Sequence, residues 1–276
     1  MKRLRAWFLA PSWAVMLLLF LAPLGIILAY SFESRGTYGG ISLPWTAESY
    51  QRLADRIYLV ILWRSVWIAG LSTVVCLLLG FPLALFISRS GTRKNLYLSL
   101  VILPFWTSFL IRTYAWMFLL RDTGLINTAL QKLGLIHDPL TLLYNDGAVI
   151  LGLVYSYLPF MVLPLYATLE RLDRSLLEAS ADLGARPWAT LVHVTIPLCG
   201  PGIRAGAILV FIPCLGAYLT PDLLGGGKSV MIGNLIQNQF TTARDWPFGA
   251  AISLSLMAMV MALLWLFARR TPEGLV

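Results

Sequence analysis

Six stretches of this 276-residue chain run too long without charge to belong in water. Residues 6–32, 65–88, 147–169, 205–221 and 246–268 contain no Lys, Arg, Asp or Glu, and 95–120 contains only Arg112. A helix rises about 1.5 Å per residue, so roughly 20 apolar residues cross the hydrocarbon of a bilayer. Within it every N–H and C=O must be satisfied inside the segment, which makes helices the structure this pattern predicts. The expectation is an all-α membrane protein with six transmembrane helices, forming a single transmembrane domain over 1–276. Pro23, Pro82, Pro104, Pro159, Pro164 and Pro213 fall inside the stretches, so kinks are expected where neighbouring helices can take up the freed carbonyls.

Composition agrees: 58% of residues are apolar and 12% charged, about half the charge of an average soluble domain. A formal charge of +8 would suggest nucleic acid in a soluble chain. Here the bases flank the apolar stretches, where they orient the chain against a membrane, and no nucleic-acid partner is expected. Cys76, Cys199 and Cys214 stand apart in apolar surroundings and read as small packing residues.

The run from Met1 to Arg5 resembles the start of a secretion signal, but the apolar stretch after it is too long and lacks a cleavage site, so it reads as a retained first helix. If six spans alternate, Lys2, Arg3, Arg5, Arg89, Arg93, Lys94, Arg171, Arg174, Arg186, Arg269 and Arg270 share one side, and the positive-inside rule makes it cytoplasmic. Both termini are then cytoplasmic. The outer segments 33–64 and 121–146 carry turn signals such as Tyr38-Gly39-Gly40 and His137-Asp138-Pro139, with one short interfacial helix expected at 47–57.

Residues 170–197 then form a cytoplasmic loop of two helix-sized pieces. Ser175 with Glu178 fits a capping box, Gly184 fits a left-handed helix stop, and Pro187 suits the first turn of a second helix ending near Pro197. Leu172, Leu176, Ala179 and Leu183 fall at helical spacing and predict one apolar face, with Arg174, Glu178 and Asp182 opposite. Such a knob suits a groove in a partner, although capping alone would also produce these residues in an ordinary loop.

The order Glu178-Ala179-Ser180, three residues, Gly184, nine residues, then Val194-Thr195-Ile196-Pro197 resembles the signature of permease subunits of bacterial ATP-binding-cassette (ABC) importers, with Ser180 in place of a second Ala. Residues 103–114, 154–161, 221–226, 231–234 and 244–249 are similar to the spermidine/putrescine branch of that family. The resemblance implies a type I importer permease fold in the bacterial inner membrane. It also implies import of polyamine by alternating access, and a coupling role for Glu178, Ala179, Ser180, Asp182, Gly184 and Pro197. The partners implied are a second homologous permease subunit, two cytoplasmic ATPase subunits, an extracytoplasmic substrate-binding protein and membrane lipid. No cofactor is expected on this chain; ATP and Mg belong to the ATPase. Opines, amino-acid derivatives and other small solutes remain alternative cargoes, and an ATP-independent transporter or channel a more distant one.

Enzyme chemistry finds no support in the sequence. Residues 222–229 read one glycine short of a phosphate-binding loop, with Asp222 at its first position, and His137 and His193 are isolated. Arg112 is the one charge inside a span, where even lenient scales put its cost at about 2.5–3.5 kcal/mol. It either organises the path or partner helices or snorkels to an interface. A cationic cargo calls for carboxylates, carbonyls and aromatic faces, and Asp222 with Tyr218 one turn before it is the candidate gate. Asn234, Gln237 and Asn238 follow on a polar helix as path candidates, the alternative being that these amides cap local backbone.

Overall fold

The computed structural model describes residues 2–269. Met1 and Arg270, used above to orient the chain, lie outside the described residues, as do the side chains of Lys2, Arg3, Arg5 and Arg174. In chain order the elements are α1 (Lys2–Ser31), a hairpin of β1 (Ser34–Arg35) and β2 (Ile41–Ser42), α2 (Glu48–Leu53), α3 (Arg56–Arg89), α4 (Lys94–Ile102), α5 (Phe109–Leu120), α6 (Leu125–Lys132) and α7 (Asp146–Glu170). After them come α8 (Arg174–Asp182), α9 (Pro187–Thr190), α10 (Ile196–Leu198), α11 (Gly200–Leu215), α12 (Ile232–Thr241) and α13 (Trp246–Arg269).

Among the described residues four helices are long and apolar enough to cross a membrane, and two bent pairs bring the number to six if each pair is one span. The bent pairs are where the expected spans need correcting. In place of one kinked helix over 95–120, α4 runs into a 3-10 turn at Leu103–Trp106, Thr107 is extended, and the chain turns by 88° into α5. Pro104 sits in that turn and has no N–H to continue an α-helical ladder. In place of 205–221, α11 stops at Leu215, and α9 and α10 precede it across a 66° bend at Cys199. Helix α3 starts at Arg56 rather than at 65, because absence of charge marks the hydrocarbon and the helix continues beyond it. Residues 121–146 hold α6 besides their turns, and the short helix expected over 47–57 is confined to α2.

Two compact units emerge, residues 61–234 and residues 1–60 with 235–276. In the first, α3, α7 and α11 meet around Met161, which is fully buried. Water cannot drive helices together inside a bilayer, so close packing of small residues must. A Cβ built on Gly206 would lie 2.7 Å from the Met161 sulfur, and one built on Gly80 3.1 Å from its Cγ. One flexible side chain thus fills the space two glycines leave. Cys76, Cys199 and Cys214 are buried and unpaired with one another, in keeping with packing residues.

In the second unit α1 packs along α13, and the outer segment is tied to the turn before α13. Gly40 N–H donates to the Arg244 carbonyl at 2.8 Å and the Arg35 guanidinium to that of Ala243 at 2.8 Å. Buried Asp245 accepts from Arg52 at 2.8 Å and caps α13 through the Phe248 amide at 3.2 Å, while the Arg52 guanidinium lies 4.2 Å above the Phe248 ring.

Candidate coupling elbow and translocation path

Helix α8, the turn at Gly184 and α9 form an elbow held by its own bonds. The N-cap is Asp173 and not Ser175, a correction of two residues: its Oδ1 accepts the Ser175 amide at 3.0 Å. That amide, with the Ser175 hydroxyl second, holds the Asp173 carboxyl below its ordinary range. Glu178 therefore completes no capping box; it is exposed and has no hydrogen-bond or ion-pair partner among the described residues.

Gly184 takes φ +81°, a conformation that side chains with a Cβ rarely adopt. Its amide donates to the Ala181 carbonyl at 2.8 Å and that of Ala185 to Ser180 at 3.1 Å, the paired bonds that close a Schellman stop. Ser180, where the family signature has Ala, shares a hydrogen bond of 2.9 Å with the Thr190 hydroxyl and so ties α8 to α9 across the elbow. Pro187 stands at the first position of α9. A π-helical turn at Leu191–Thr195 follows, next to exposed Pro197, whose missing N–H frees a carbonyl in the preceding turn. Asp182 is exposed.

The expected apolar face is present with one residue reassigned. Leu176, Ala179 and Leu183 point outward, Leu183 being 88% exposed, and Trp188 on α9 adds a ring that is 74% exposed. Leu172 turns inward with Leu177 instead. Both line a cavity of about 400 Å³ under the elbow, bounded by Leu85, Arg89, Glu170 and Glu178. A second cavity of about 410 Å³ is also lined by Leu85, Arg89 and Leu177, with Ala181 and Trp188. The elbow lies at the ends of α3 and α7 near Arg89 and Glu170, where Lys94 pairs with Glu170.

At the other end of α3 and α7 the chain from Tyr218 to Asn234 forms the candidate path mouth. Tyr218 and Asp222 are exposed, and the Asp222 carboxylate has no partner among the described residues. Pro221–Gly225 is a π-helical turn and Gly226–Lys228 a 3-10 turn. Asn234 is committed to backbone: its Nδ2 donates to the Tyr218 carbonyl at 2.7 Å and its Oδ1 accepts the Met231 amide at 3.2 Å. This supports the capping alternative for Asn234. Gln237 is half-buried and Asn238 exposed, one turn further along α12 in the other unit.

Sequence reasoning missed what holds the mouth. Asp146 Oδ1 accepts from Arg64 and from Ser229, each at 2.6 Å, and Ser65 Oγ accepts the Ile232 amide at 2.7 Å. Asp146 directly follows Asn145, whose side chain caps α7, and an acid in the first turn of a helix was the available signal. Arg112 is buried on α5, with Phe105 and Phe109 rings 4.9 and 5.9 Å from its guanidinium carbon.

Comparison with known proteins gives this arrangement its context. Residues 76–271 match the family described as binding-protein-dependent transport system inner membrane component. The spermidine/putrescine transport system permease protein PotB of Haemophilus influenzae is 40% identical over 259 residues, covering 94% of this chain and 90% of that protein. PotB of Escherichia coli K12 is 42% identical over 248 residues, 88% of this chain and 90% of that protein. Among solved structures, a bacterial alginate ABC transporter in complex with an alginate pentasaccharide-bound periplasmic protein shares the fold, with a TM-score of 0.76 at 18% identity over 95% of this chain and 93% of that one. This chain belongs to the family of binding-protein-dependent transport system inner membrane components, and is a non-catalytic permease subunit with the type I ABC importer fold.

Proposed function

We propose that this chain is a membrane-spanning subunit of an ATP-driven polyamine importer, passing spermidine or putrescine inward by alternating access. The exposed apolar stripe of the elbow carries the mechanical half of the reading. A helix whose Leu176, Ala179 and Leu183 face away from its own bundle is built to be covered, and a cytoplasmic ATPase is the partner that covers it. Two such ATPases, holding ATP and Mg, supply the energy, while this chain holds no cofactor. Glu178, Asp182 and Gly184 shape the contact, Ser180 fixes its angle, and Pro197 lies where the elbow joins α11. Nucleotide binding shifts the equilibrium because it favours one position of the elbow over the other.

The polyamine half rests on the relatives of known name. A second permease subunit completes the pore, and an extracytoplasmic binding protein delivers cargo to the mouth, where the Asp222 carboxylate and the Tyr218 ring suit an ammonium group. Gln237 and Asn238 are the remaining path candidates. In this orientation both termini and the elbow are cytoplasmic.

The test is uptake of labelled spermidine and putrescine into cells lacking their own polyamine uptake and carrying this chain with its neighbouring ATPase, permease and binding-protein genes. Saturable uptake that stops when the ATPase is omitted supports the reading. Uptake that persists without ATP overturns the coupling half, and a binding protein that ignores both polyamines in calorimetry overturns the cargo.

A further inference from the structure

The Arg112 guanidinium is enclosed without a full set of acceptors among the described residues. The residue is only 9% exposed, and its Nε and Nη1 are enclosed without a hydrogen-bond partner among the described residues. The rings of Phe105 and Phe109 offer it π faces but no lone pair. Its surroundings add positive character: it stands in the first turn of α5, where backbone amides lack intrahelical acceptors, and Ser108 makes no side-chain cap bond. Long helical side chains lean back toward the N-terminus, in keeping with a guanidinium that lies by the Phe105 and Phe109 rings.

Neither lipid nor cargo can answer this charge. Phe105 packs edge-on against Phe160, ring centroids 5.1 Å apart, which puts the site beside the middle of α7. Phe160 is ten residues from Glu170, about 15 Å along the helix, so headgroup phosphates at that surface are out of reach. A polyamine repels a guanidinium. Around the site the surface is apolar and open, with Trp106 85% and Ile111 65% exposed.

We propose that this surface docks the second permease subunit, and that Arg112 receives there a carboxylate carried on an apolar membrane helix of that partner. The inference rests on the paired-pore reading above and gives it a contact. Arg112 is then a positioning residue that fixes how the two subunits register. A carboxylate buried with a guanidinium is tolerated in hydrocarbon, whereas either alone is strongly disfavoured, which makes the pairing selective as well as attractive.

Arg112→Met, purified alone and with the co-expressed second permease, reads opposite signs. For the chain alone, removing an unpaired charge leaves the melting temperature unchanged or raises it. For the pair, recovery of the second permease falls at least tenfold and returns when one membrane-embedded Asp or Glu of that subunit is changed to Asn or Gln. A lower melting temperature of the chain alone with full recovery of the pair would make Arg112 an internal structural residue and overturn the inference, leaving the paired pore standing. If the unaltered chain recovers no second permease, paired pore and inference fail together.

Discussion

The two ends of α3 and α7 carry non-spanning segments built on opposite principles. At one end, the bonds that shape the elbow among the described residues are its own: Asp173 to Ser175, Ala181 to Gly184, Ser180 to Ala185 and to Thr190. At the other end, the chain from Tyr218 to Ile232 is bonded to the bundle at each turn: Leu224 to Tyr144, Ser229 to Asp146, Ile232 to Ser65. A segment tied to its helices moves with them. One that is held by its own bonds, with two cavities lined by Leu177 beneath it, can be pushed as a handle. The difference matches the proposed division of labour, with force received at the elbow and an opening shaped at the mouth.

The largest expected effect breaks the handle. Gly184→Pro replaces a φ of +81° with one near −65°, so the Schellman stop is lost and the stripe no longer presents one face. Uptake should fall more than tenfold with the ATPase no longer recovered alongside, while membrane insertion persists. Next comes the mouth. Asp146→Ala strands buried Ser229 and frees Arg64, at a cost of about 1–3 kcal/mol and a melting temperature lower by roughly 3–8 °C. ATPase recovery should stay normal, and a loss of recovery there would erase the distinction between the two ends.

A smaller effect sharpens the comparison within the elbow. Ser180→Ala removes one partly exposed hydrogen bond, worth about 1 kcal/mol at most, so transport per ATP hydrolysed should fall two- to threefold with docking intact. Thr190→Val should give the same loss, and the double variant no more than either, because a single bond is shared. The smallest effect is on pH. The Asp173 carboxyl titrates below its ordinary value of 3.8, so its cap is present above that value and is lost as pH falls through the lowered one. Protection of the Ser175 and Leu176 amides, relative to the exchange rate of an unstructured chain at the same pH, should be unchanged from neutral pH to about 5 and fall only below about 4, whereas Asp173→Ala should lack that protection throughout.

Most of the spans and the elbow were legible in the sequence, because absence of charge and capping chemistry are local properties. Gly184 and Pro187 take the positions their backbone preferences dictate. The cap misassigned to Ser175 came from two equally good local patterns two residues apart, with Asp173 making the bond. What stayed hidden was long-range. Nothing near Asp146 announces Arg64 and Ser229 as its partners across 82 and 83 residues, and the inward turn of Leu172 depends on Leu85 and Leu177. The break in the third span was signalled by Pro104 only as a kink, since the size of a bend is set by what the helices pack against.

Site-directed cross-linking tests the central claim most directly. Leu183→Cys and Trp188→Cys on the elbow, and Tyr218→Cys at the mouth, are compared in the assembled transporter, the native cysteines being buried. The account predicts that both elbow cysteines join the ATPase, with a yield that changes on adding ATP, and that the mouth cysteine does not. Elbow cysteines that react freely with a water-soluble maleimide in the assembled transporter and never join the ATPase would contradict it.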